Sequence, residues 1–135
     1  MNKIIHNIGI GAAALVIGTL IYAATENIIT EIRTQDALDN HIASNKLAVV
    51  QFYSPTCPVC NAFKKKRIFS QAAHQLPNIN FAQVSSEEGK AIHHAQKIQH
   101  YPTFVYFKNG APVKRTEGYV DNPVFTQNVK KILSE

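Results

Sequence analysis

Residues 47–60 read LAVVQFYSPTCPVC and place a strand, a turn and two cysteines in direct succession. The first seven residues are almost all aliphatic, β-branched or aromatic, which is typical of a strand buried on both faces. Ser54, Pro55 and Thr56 then predict a turn. The cysteines come where the strand gives way to a helix, so the stretch predicts an α/β domain whose chemistry lies at one strand-to-helix junction.

The spacing of Cys57 and Cys60 suits a pair that cycles between two thiols and a disulfide. A thiolate is the reactive form of cysteine, and a helix N-terminus stabilises it through free N–H groups and about half a positive charge. Cys57 takes that position, and Pro58 fits the first helical turn because its missing N–H needs no partner there. We therefore predict Cys57 as the attacking sulfur and Cys60, one turn deeper, as the resolving one.

Two other uses of the cysteine pair fit the sequence less well. A structural zinc site needs four ligands, and beyond the pair only His93, His94 and His100 are candidates. An adjacent His-His pair in a polar helix is typical of solvated surface. A purely structural disulfide would close a loop too short to constrain the unfolded chain much. We expect no bound metal and no cofactor.

An uncharged apolar segment, residues 8–24, precedes the rest of the chain. Its length corresponds to about 25 Å of helix, near the short limit for a membrane span and longer than the core of a signal peptide. Tyr22 is too bulky for its place in a cleavage site, so an uncleaved signal anchor is favoured and a cleaved signal peptide is the alternative. The segment has no polar face, which argues against a core helix. The predicted domains are residues 1–25 for this segment and 26–135 for the folded unit.

Positive charge flanks the apolar segment only on its N-terminal side, at Lys3 and the free amino group. The positive-inside rule then places residues 26–135 outside the cytoplasm. We expect an inner-membrane protein whose soluble domain faces a bacterial periplasm, or a protein secreted to the periplasm if the segment is cleaved.

The remaining sequence predicts strands that alternate with helices and end in a hairpin. The whole chain of 135 residues allows one domain, and its 45% hydrophobic residues exclude a disordered chain. Asn109 and Gly110 mark the tight hairpin turn. Strands are predicted at residues 28–33, 47–53, 79–85, 103–107 and 113–116, and helices at residues 36–45, 57–75, 87–96 and 122–133. Thr34 or Asp36 is the predicted N-cap of the first of these helices. This order predicts a mixed central sheet flanked by helices.

Three further motifs carry a family resemblance: Tyr101-Pro102-Thr103, the run FKNG at residues 107–110, and Gly118 before the last helix. Together with the strand that leads into C-P-V-C, they make the sequence resemble the thioredoxin family from about residue 28 to residue 133. The resemblance implies a thioredoxin-like fold and a thiol:disulfide oxidoreductase that acts on protein disulfides.

The resemblance also implies a substrate groove. Pro102 would be a cis-proline that faces the cysteine pair and leaves backbone groups free to hold an extended substrate chain. Tyr101, Pro102 and Thr103, with Pro58 and Val59 between the cysteines, are the expected substrate-binding residues. A second interpretation of Tyr101 stays open, in which it caps the core.

Two departures separate the chain from thioredoxins. Thioredoxins carry a buried Asp where this chain has Gln51 and a nearby Lys where it has Gln83, so the usual proton acceptor of the second thiol is missing. Thr56 stands where thioredoxins have Trp, and Pro58-Val59 replaces their Gly-Pro. These differences argue against a general cytoplasmic reductant.

A basic run, KKKR at residues 64–67, is the one strong charge cluster in a chain of net charge +5. It predicts a solvated helix face, or a docking surface for an acidic partner or anionic lipid headgroups. Nucleic acid is excluded as a partner because no aromatic residues are interleaved with the charges. The run covers every side of the predicted helix, including the side that Val59, Phe63 and Phe69 would bury, so we expect Lys66 to snorkel.

The sequence thus predicts a membrane-tethered, monomeric reductase of protein disulfides that receives electrons from a membrane partner. The direction of transfer follows only by analogy with tethered single domains of this family. The alternative is a non-catalytic binding module whose groove at Tyr101 and Pro102 holds a membrane-associated partner.

Overall fold

A computed structural model describes residues 28–135 of the protein. The predicted anchor or signal peptide at residues 8–24, and with it the boundary at residue 25, lies outside the described residues. Within 28–135, no helix has the length and apolar character that a membrane crossing requires. The elements in this range are β1 (Ile29–Glu31), α1 (Gln35–Ser44), β2 (Leu47–Tyr53), α2 (Pro58–Lys65), α3 (Ile68–Gln75), β3 (Asn80–Ser85), α4 (Lys90–Ala95), β4 (Thr103–Lys108), β5 (Ala111–Glu117) and α5 (Val124–Ser134).

The described strands form one mixed sheet in the order β1-β3-β2-β4-β5. β3 runs parallel to both β1 and β2, whereas β4 is antiparallel to β2 and to β5. Parallel neighbours need a long connection, which the helices between β2 and β3 supply. Asn109 and Gly110, both at positive φ, make the tight turn from β4 to β5. The predicted mixed sheet flanked by helices is confirmed.

Two apolar layers, one on each face of the sheet, form the core of the described domain. Phe63 of α2 belongs to one layer together with Val49 of β2, and Leu38 of α1 belongs to the other. Successive residues of a strand point to opposite faces, so Gln51 lies on the same face as Val49. That face is covered by α2, the helix that carries Cys60.

The single helix predicted over residues 57–75 is wrong, because the chain divides it into α2 and α3. Arg67, at φ 56 and ψ 31, takes a left-handed conformation between the two helices. A continuous helix would turn part of the basic run toward the core that Phe63 and Phe69 occupy. The break leaves the whole run exposed while both rings stay buried. Val59, expected on the buried side, is 42% exposed.

Most other predicted boundaries lie close to the observed ones. Thr34 caps α1 by accepting a hydrogen bond from the Ala37 N–H at 3.1 Å, as its place before the helix predicts. β1 is shorter than the predicted strand because only residues 29–31 pair with β3. β5 is longer than predicted because its pairing with β4 extends from Ala111 to Glu117.

Candidate active site

Cys57 is the N-cap residue of α2, at the point where the turn after β2 gives way to the helix. Its N–H donates to the Ser54 carbonyl at 3.2 Å and closes the turn, and its carbonyl accepts from the Asn61 N–H at 3.0 Å. Pro58 follows in the first helical turn, where an N–H would have no partner. The sequence at this junction therefore presents the Cys57 sulfur to the free N–H groups of the helix.

The two thiols differ in accessibility. Both cysteines are free; Cys57 is half-buried, and Cys60 is only 3% exposed. The Cys57 Sγ lies 3.9 Å from the carbonyl oxygen of Tyr101 in the facing loop. A large substrate can therefore reach Cys57 and not Cys60.

The surroundings of the two sulfurs move their pKa values in opposite directions. Burial alone would raise the pKa of the Cys57 thiol, but hydrogen bonds from the Cys60 N–H, the Cys60 thiol and the Val59 N–H lower it overall. Burial dominates at Cys60; the Ser54 backbone opposes it and Cys57 adds to it, so that the pKa rises to about 11. Cys57 therefore ionises first, and Cys60 needs a base before it can attack.

The loop opposite the cysteines has the geometry expected of a substrate groove. The peptide bond between Tyr101 and Pro102 is cis, as the family resemblance implies, and the Tyr101 carbonyl approaches Cys57. Pro58 and Val59 are exposed next to the same sulfur. The structure thus brings these two residues and Tyr101 together around Cys57, with Pro102 buried beside them.

Thr103 does not behave as a substrate-binding side chain. It is 1% exposed, and its hydroxyl donates to the His100 carbonyl at 2.6 Å. The Pro102 carbonyl is also occupied, because it accepts the Gly118 N–H at 2.9 Å. The side chain of Thr103 and the carbonyl of Pro102 therefore hold the loop in place, and Tyr101 is the member of the tripeptide whose carbonyl faces the Cys57 sulfur.

His93 is buried, and the expectation that it lies on a solvated surface is wrong. Its Nε2 is 2.9 Å from the Val84 carbonyl, and its ring packs against Phe52 and Tyr101 at centroid distances of 5.3 and 5.6 Å. Burial lowers the pKa of His93 and keeps the ring neutral. The Tyr101 ring thus rests on the core while its carbonyl faces Cys57. Residues 28–135 hold no group of three or more His, Cys, Asp or Glu placed to bind a metal ion.

A cavity of about 400 Å³ lies beside Cys60, on the sheet face that α2 and α3 cover. Gln51 and Gln83 line it and are register partners on the neighbouring strands β2 and β3. Lys64 and Arg67, both exposed, lie at its rim. The register confirms that Gln51 and Gln83 are neighbours, as the comparison with the buried Asp and Lys of thioredoxins requires.

Glu31 is a carboxylate of this region that sequence reasoning missed. Its Oε2 accepts a hydrogen bond from Gln83 Nε2 at 2.6 Å, and its Oε1 accepts one from the Tyr53 hydroxyl at 3.3 Å. Glu31 pairs in register with Gln83 across β1 and β3. The contact between Glu31 and Gln83 can be predicted only from the order of the strands in the sheet. Once β1 is placed beside β3, Glu31 lies next to Gln83.

The basic run lies on the surface, and Lys66 does not snorkel along a buried helix face. Lys66 Nζ is 3.2 Å from an Asp121 carboxylate oxygen and 5.4 Å from the centroid of the Tyr119 ring. Lys64 and Arg67 instead line the cavity rim. The run is therefore divided between a surface ion pair and the entrance to the cavity beside Cys60.

Known proteins share the sequence pattern of this chain. The family model described as Thioredoxin matches residues 29–131. The chain is 32% identical over 102 residues to protein disulfide-isomerase 1 from Caenorhabditis elegans, a match that covers 73% of this chain and 20% of that protein. It is 29% identical over 104 residues to thioredoxin from Mycoplasma pneumoniae, covering 77% of this chain and 100% of that protein. The chain thus spans a fifth of the isomerase and the whole thioredoxin.

Solved structures share the fold. Plasmodium falciparum thioredoxin matches with a TM-score of 0.70 at 23% identity, covering 76% of this chain and 98% of that chain. Mitochondrial thioredoxin 3 from Saccharomyces cerevisiae gives a TM-score of 0.69 at 20% identity, covering 79% and 98%. At these identities the likeness establishes the arrangement of helices and strands.

Proposed function

Because the chain belongs to the thioredoxin family and is a thiol-disulfide oxidoreductase, we propose that it acts on protein disulfides through Cys57 and Cys60, in the reducing direction. The observation that carries this proposal is a half-buried sulfur at the N-cap of α2 with a buried thiol one turn deeper and cis-Pro102 in the loop opposite. Such a pair can attack a bulky disulfide with one sulfur and release it with the other.

The reaction begins at Cys57, whose lowered pKa makes the thiolate available. The thiolate attacks one sulfur of the substrate disulfide, and the substrate S–S bond breaks. The released sulfur leaves as a thiolate and takes up a proton. Cys57 and the other substrate sulfur are then joined in a mixed disulfide.

Cys60 completes the reaction. It loses its proton, its sulfur attacks the Cys57 Sγ, and the bond between Cys57 and the substrate breaks. The substrate has gained two electrons and two protons, and the enzyme holds a disulfide between Cys57 and Cys60. An external dithiol must then reduce this disulfide, and we assign that step to a membrane electron-transfer partner.

The groove beside Cys57 fits an extended substrate segment. The Tyr101 carbonyl accepts the weak hydrogen bond of the Cys57 thiol at 3.9 Å, and once that thiol has ionised the carbonyl can accept an N–H from a substrate backbone. The exposed Val59 offers an apolar contact on the other side of the sulfur. Backbone recognition of this kind places few demands on substrate sequence. We therefore propose a broad range of protein disulfides as substrates.

We place the reaction at the periplasmic face of an inner membrane, with the chain acting as a monomer. The support for this location is the uncharged segment at residues 8–24 and the positive charge on its N-terminal side, at Lys3 and the free amino group. A retained segment anchors the enzyme, and a cleaved one releases it to the periplasm.

Insulin reduction by the full-length protein, with dithiothreitol as the electron donor, tests the activity. We expect catalysed precipitation of the insulin chains, abolished by Cys57→Ser. An inactive wild-type protein would instead support the non-catalytic binding module. The redox potential of the pair tests the direction, because a value near about −270 mV identifies a reductant and one near about −120 mV an oxidant.

A further inference from the structure

The resolving thiol, Cys60, needs a proton acceptor that its immediate neighbours do not provide. Gln51 occupies the place of the buried family acid, and an amide does not take up a proton at ordinary pH. Burial is the largest cause that raises the pKa of Cys60 to about 11 while both thiols are free. The same burial acts in the mixed disulfide, so Cys60 must lose a proton before it attacks. The inference that follows rests on the proposed function, because the acceptor matters only in the resolving step.

The carboxylate of Glu31 lies two strands away from Gln51 and in register with it. Glu31 on β1 pairs with Gln83 on β3, and Gln83 pairs with Gln51 on β2. Residues in register on neighbouring strands project from the same face of a sheet, so the three side chains form one row. The hydrogen bond of 2.6 Å from Gln83 Nε2 to Glu31 Oε2 joins the carboxylate to this row.

The cavity connects the row to the thiol. Cys60, Gln51 and Gln83 all line the same space of about 400 Å³, which has room for several water molecules. Its walls are mostly apolar, and the two amides are among the polar groups that can bond such water. Water molecules filling this space along the two amides would link the Cys60 sulfur to the Gln83 side chain, which bonds to Glu31.

We propose that Glu31 is the proton acceptor of the resolving step, reached from Cys60 through water in this cavity. The Cys60 S–H gives its proton to a cavity water, and a proton passes along the water chain to the Glu31 carboxylate. The electron pair left on the Cys60 sulfur forms the bond to Cys57, and the bond between Cys57 and the substrate sulfur breaks. The departing substrate thiolate then takes up a proton, which Glu31 returns through solvent.

The other charged and titratable groups around this path are less suited to the role. Tyr53 stays protonated, because burial, and then the charge and hydrogen bond of Glu31, raise its pKa to about 12. Glu88 is exposed and bonded to Arg33 on the solvent side. The groups that face Cys60 and Glu31 from the surrounding elements are Cys57, Lys64 and Arg67 near α2, Tyr53 on β2, and Arg33 with Glu88 beyond β1. Within this set, Glu31 is the carboxylate that bonds to the amide row.

The test compares Glu31→Gln with wild type in the resolving step, using stopped-flow release of a fluorescent peptide from its mixed disulfide with Cys57 in the full-length protein. We expect Glu31→Gln to slow release by about tenfold near pH 7 and to move the pH profile toward higher pH. Glu88→Gln is the matched control, because it removes one carboxylate from the same edge of the domain and leaves the bond to Gln83 intact. It should release the peptide at the wild-type rate.

A purely electrostatic role for Glu31 predicts the opposite result. Removing a negative charge favours the Cys60 thiolate and lowers its pKa, which would speed release near neutral pH. Ultraviolet titration of Cys60 in a Cys57→Ser background measures this pKa without any turnover. Slower release together with an unchanged or lower Cys60 pKa supports the proposal, and release at the wild-type rate or faster overturns it.

Rescue separates the acceptor role from a structural one. A double variant, Glu31→Gln with Gln51→Asp, carries a carboxyl group on the same row and nearer to Cys60. We expect this double variant to restore peptide release. A variant that had misfolded would not regain release in this way. Failure to restore it, in a double variant that still unfolds cooperatively in urea, contradicts the proposal. Failure of the proposed function would be visible in Cys60→Ser, which cannot resolve the intermediate, as the absence of any mixed disulfide on Cys57.

Discussion

Replacing Gln51 by Asp would return a carboxyl group to the position where thioredoxins bury one. Gln51 is 5% exposed and lines the cavity beside Cys60. A carboxylate there can take the proton of the resolving thiol over a shorter path than Glu31 offers. We expect Gln51→Asp to speed the resolving step above about pH 7 by up to about 10²-fold, the lower end of general-base catalysis.

The same substitution should lower the free energy of unfolding in a pH-dependent way. An Asp has a pKa of about 3.9 in the unfolded chain, and burial raises it by about 1 to 2 units in the folded state, because Gln83 brings no positive charge to offset the loss of water. Each unit corresponds to about 1.4 kcal/mol, so the ionised side chain costs about 1 to 3 kcal/mol. The penalty is absent below about pH 4, grows as pH rises through the folded-state pKa, and is constant above about pH 6.

Gln51→Asn is the matched control, because it has the shape of Asp and cannot ionise. Urea unfolding of the two variants at a series of pH values gives the difference in their free energies, which should open between about pH 4 and pH 6. Stopped-flow release on the same pair of variants gives the rate effect. A difference in stability that does not change with pH, or equal release rates for Asp and Asn, would refute the placement of Gln51 as the counterpart of the buried acid.

Four further outcomes are expected. Cys60→Ser should trap protein substrates as mixed disulfides on Cys57, visible on non-reducing gels; equal trapping by Cys57→Ser would contradict the assignment. Phe63→Ala should lower the free energy of unfolding in urea by about 3 to 5 kcal/mol, because Phe63 is 1% exposed and packs against rings at centroid distances of 5.1 to 6.4 Å; a loss below about 1 kcal/mol would be inconsistent with this packing. Arg67→Gly should raise the melting temperature, through a gain of about 0.5 to 1 kcal/mol from relief of the left-handed backbone, and Arg67→Ala should not. Residues 8–24 should keep the protein in the membrane fraction after a carbonate wash, and an N-terminal sequence that begins near residue 25 would show cleavage instead.

The features that the sequence predicted well depend on residues close together in the chain. The strand over residues 47–53 follows from its own composition, and Thr34 caps a helix whose first N–H groups are only a few residues away. The turn at Asn109 and Gly110 needs two positive φ angles, which these residue types tolerate. The position of Cys57 at a helix N-terminus could be predicted for the same reason, because the strand, the turn and the helix around it are consecutive in the chain.

The features that the sequence did not predict depend on contacts between distant segments. Glu31 and Gln83 are 52 residues apart, and neither strand alone indicates that the two are adjacent in the sheet. The burial of His93 depends on which side of the short helix α4 packs against the sheet. The break at Arg67 follows from the competition between the exposure of four surface charges and the burial of Phe63 and Phe69. Helix periodicity alone does not indicate the residue at which the helix ends.

The cavity beside Cys60 affects how the thiols of the folded protein are counted. A bulky maleimide reaches the sulfur at the N-cap and is kept from the second one by α2 itself. We expect a small neutral alkylating agent to enter past Lys64 and Arg67 and to modify Cys60 as well, more slowly because that thiol ionises at higher pH. The apparent number of thiols per chain therefore depends on the size of the reagent, and labelling with the larger one reports on Cys57 alone.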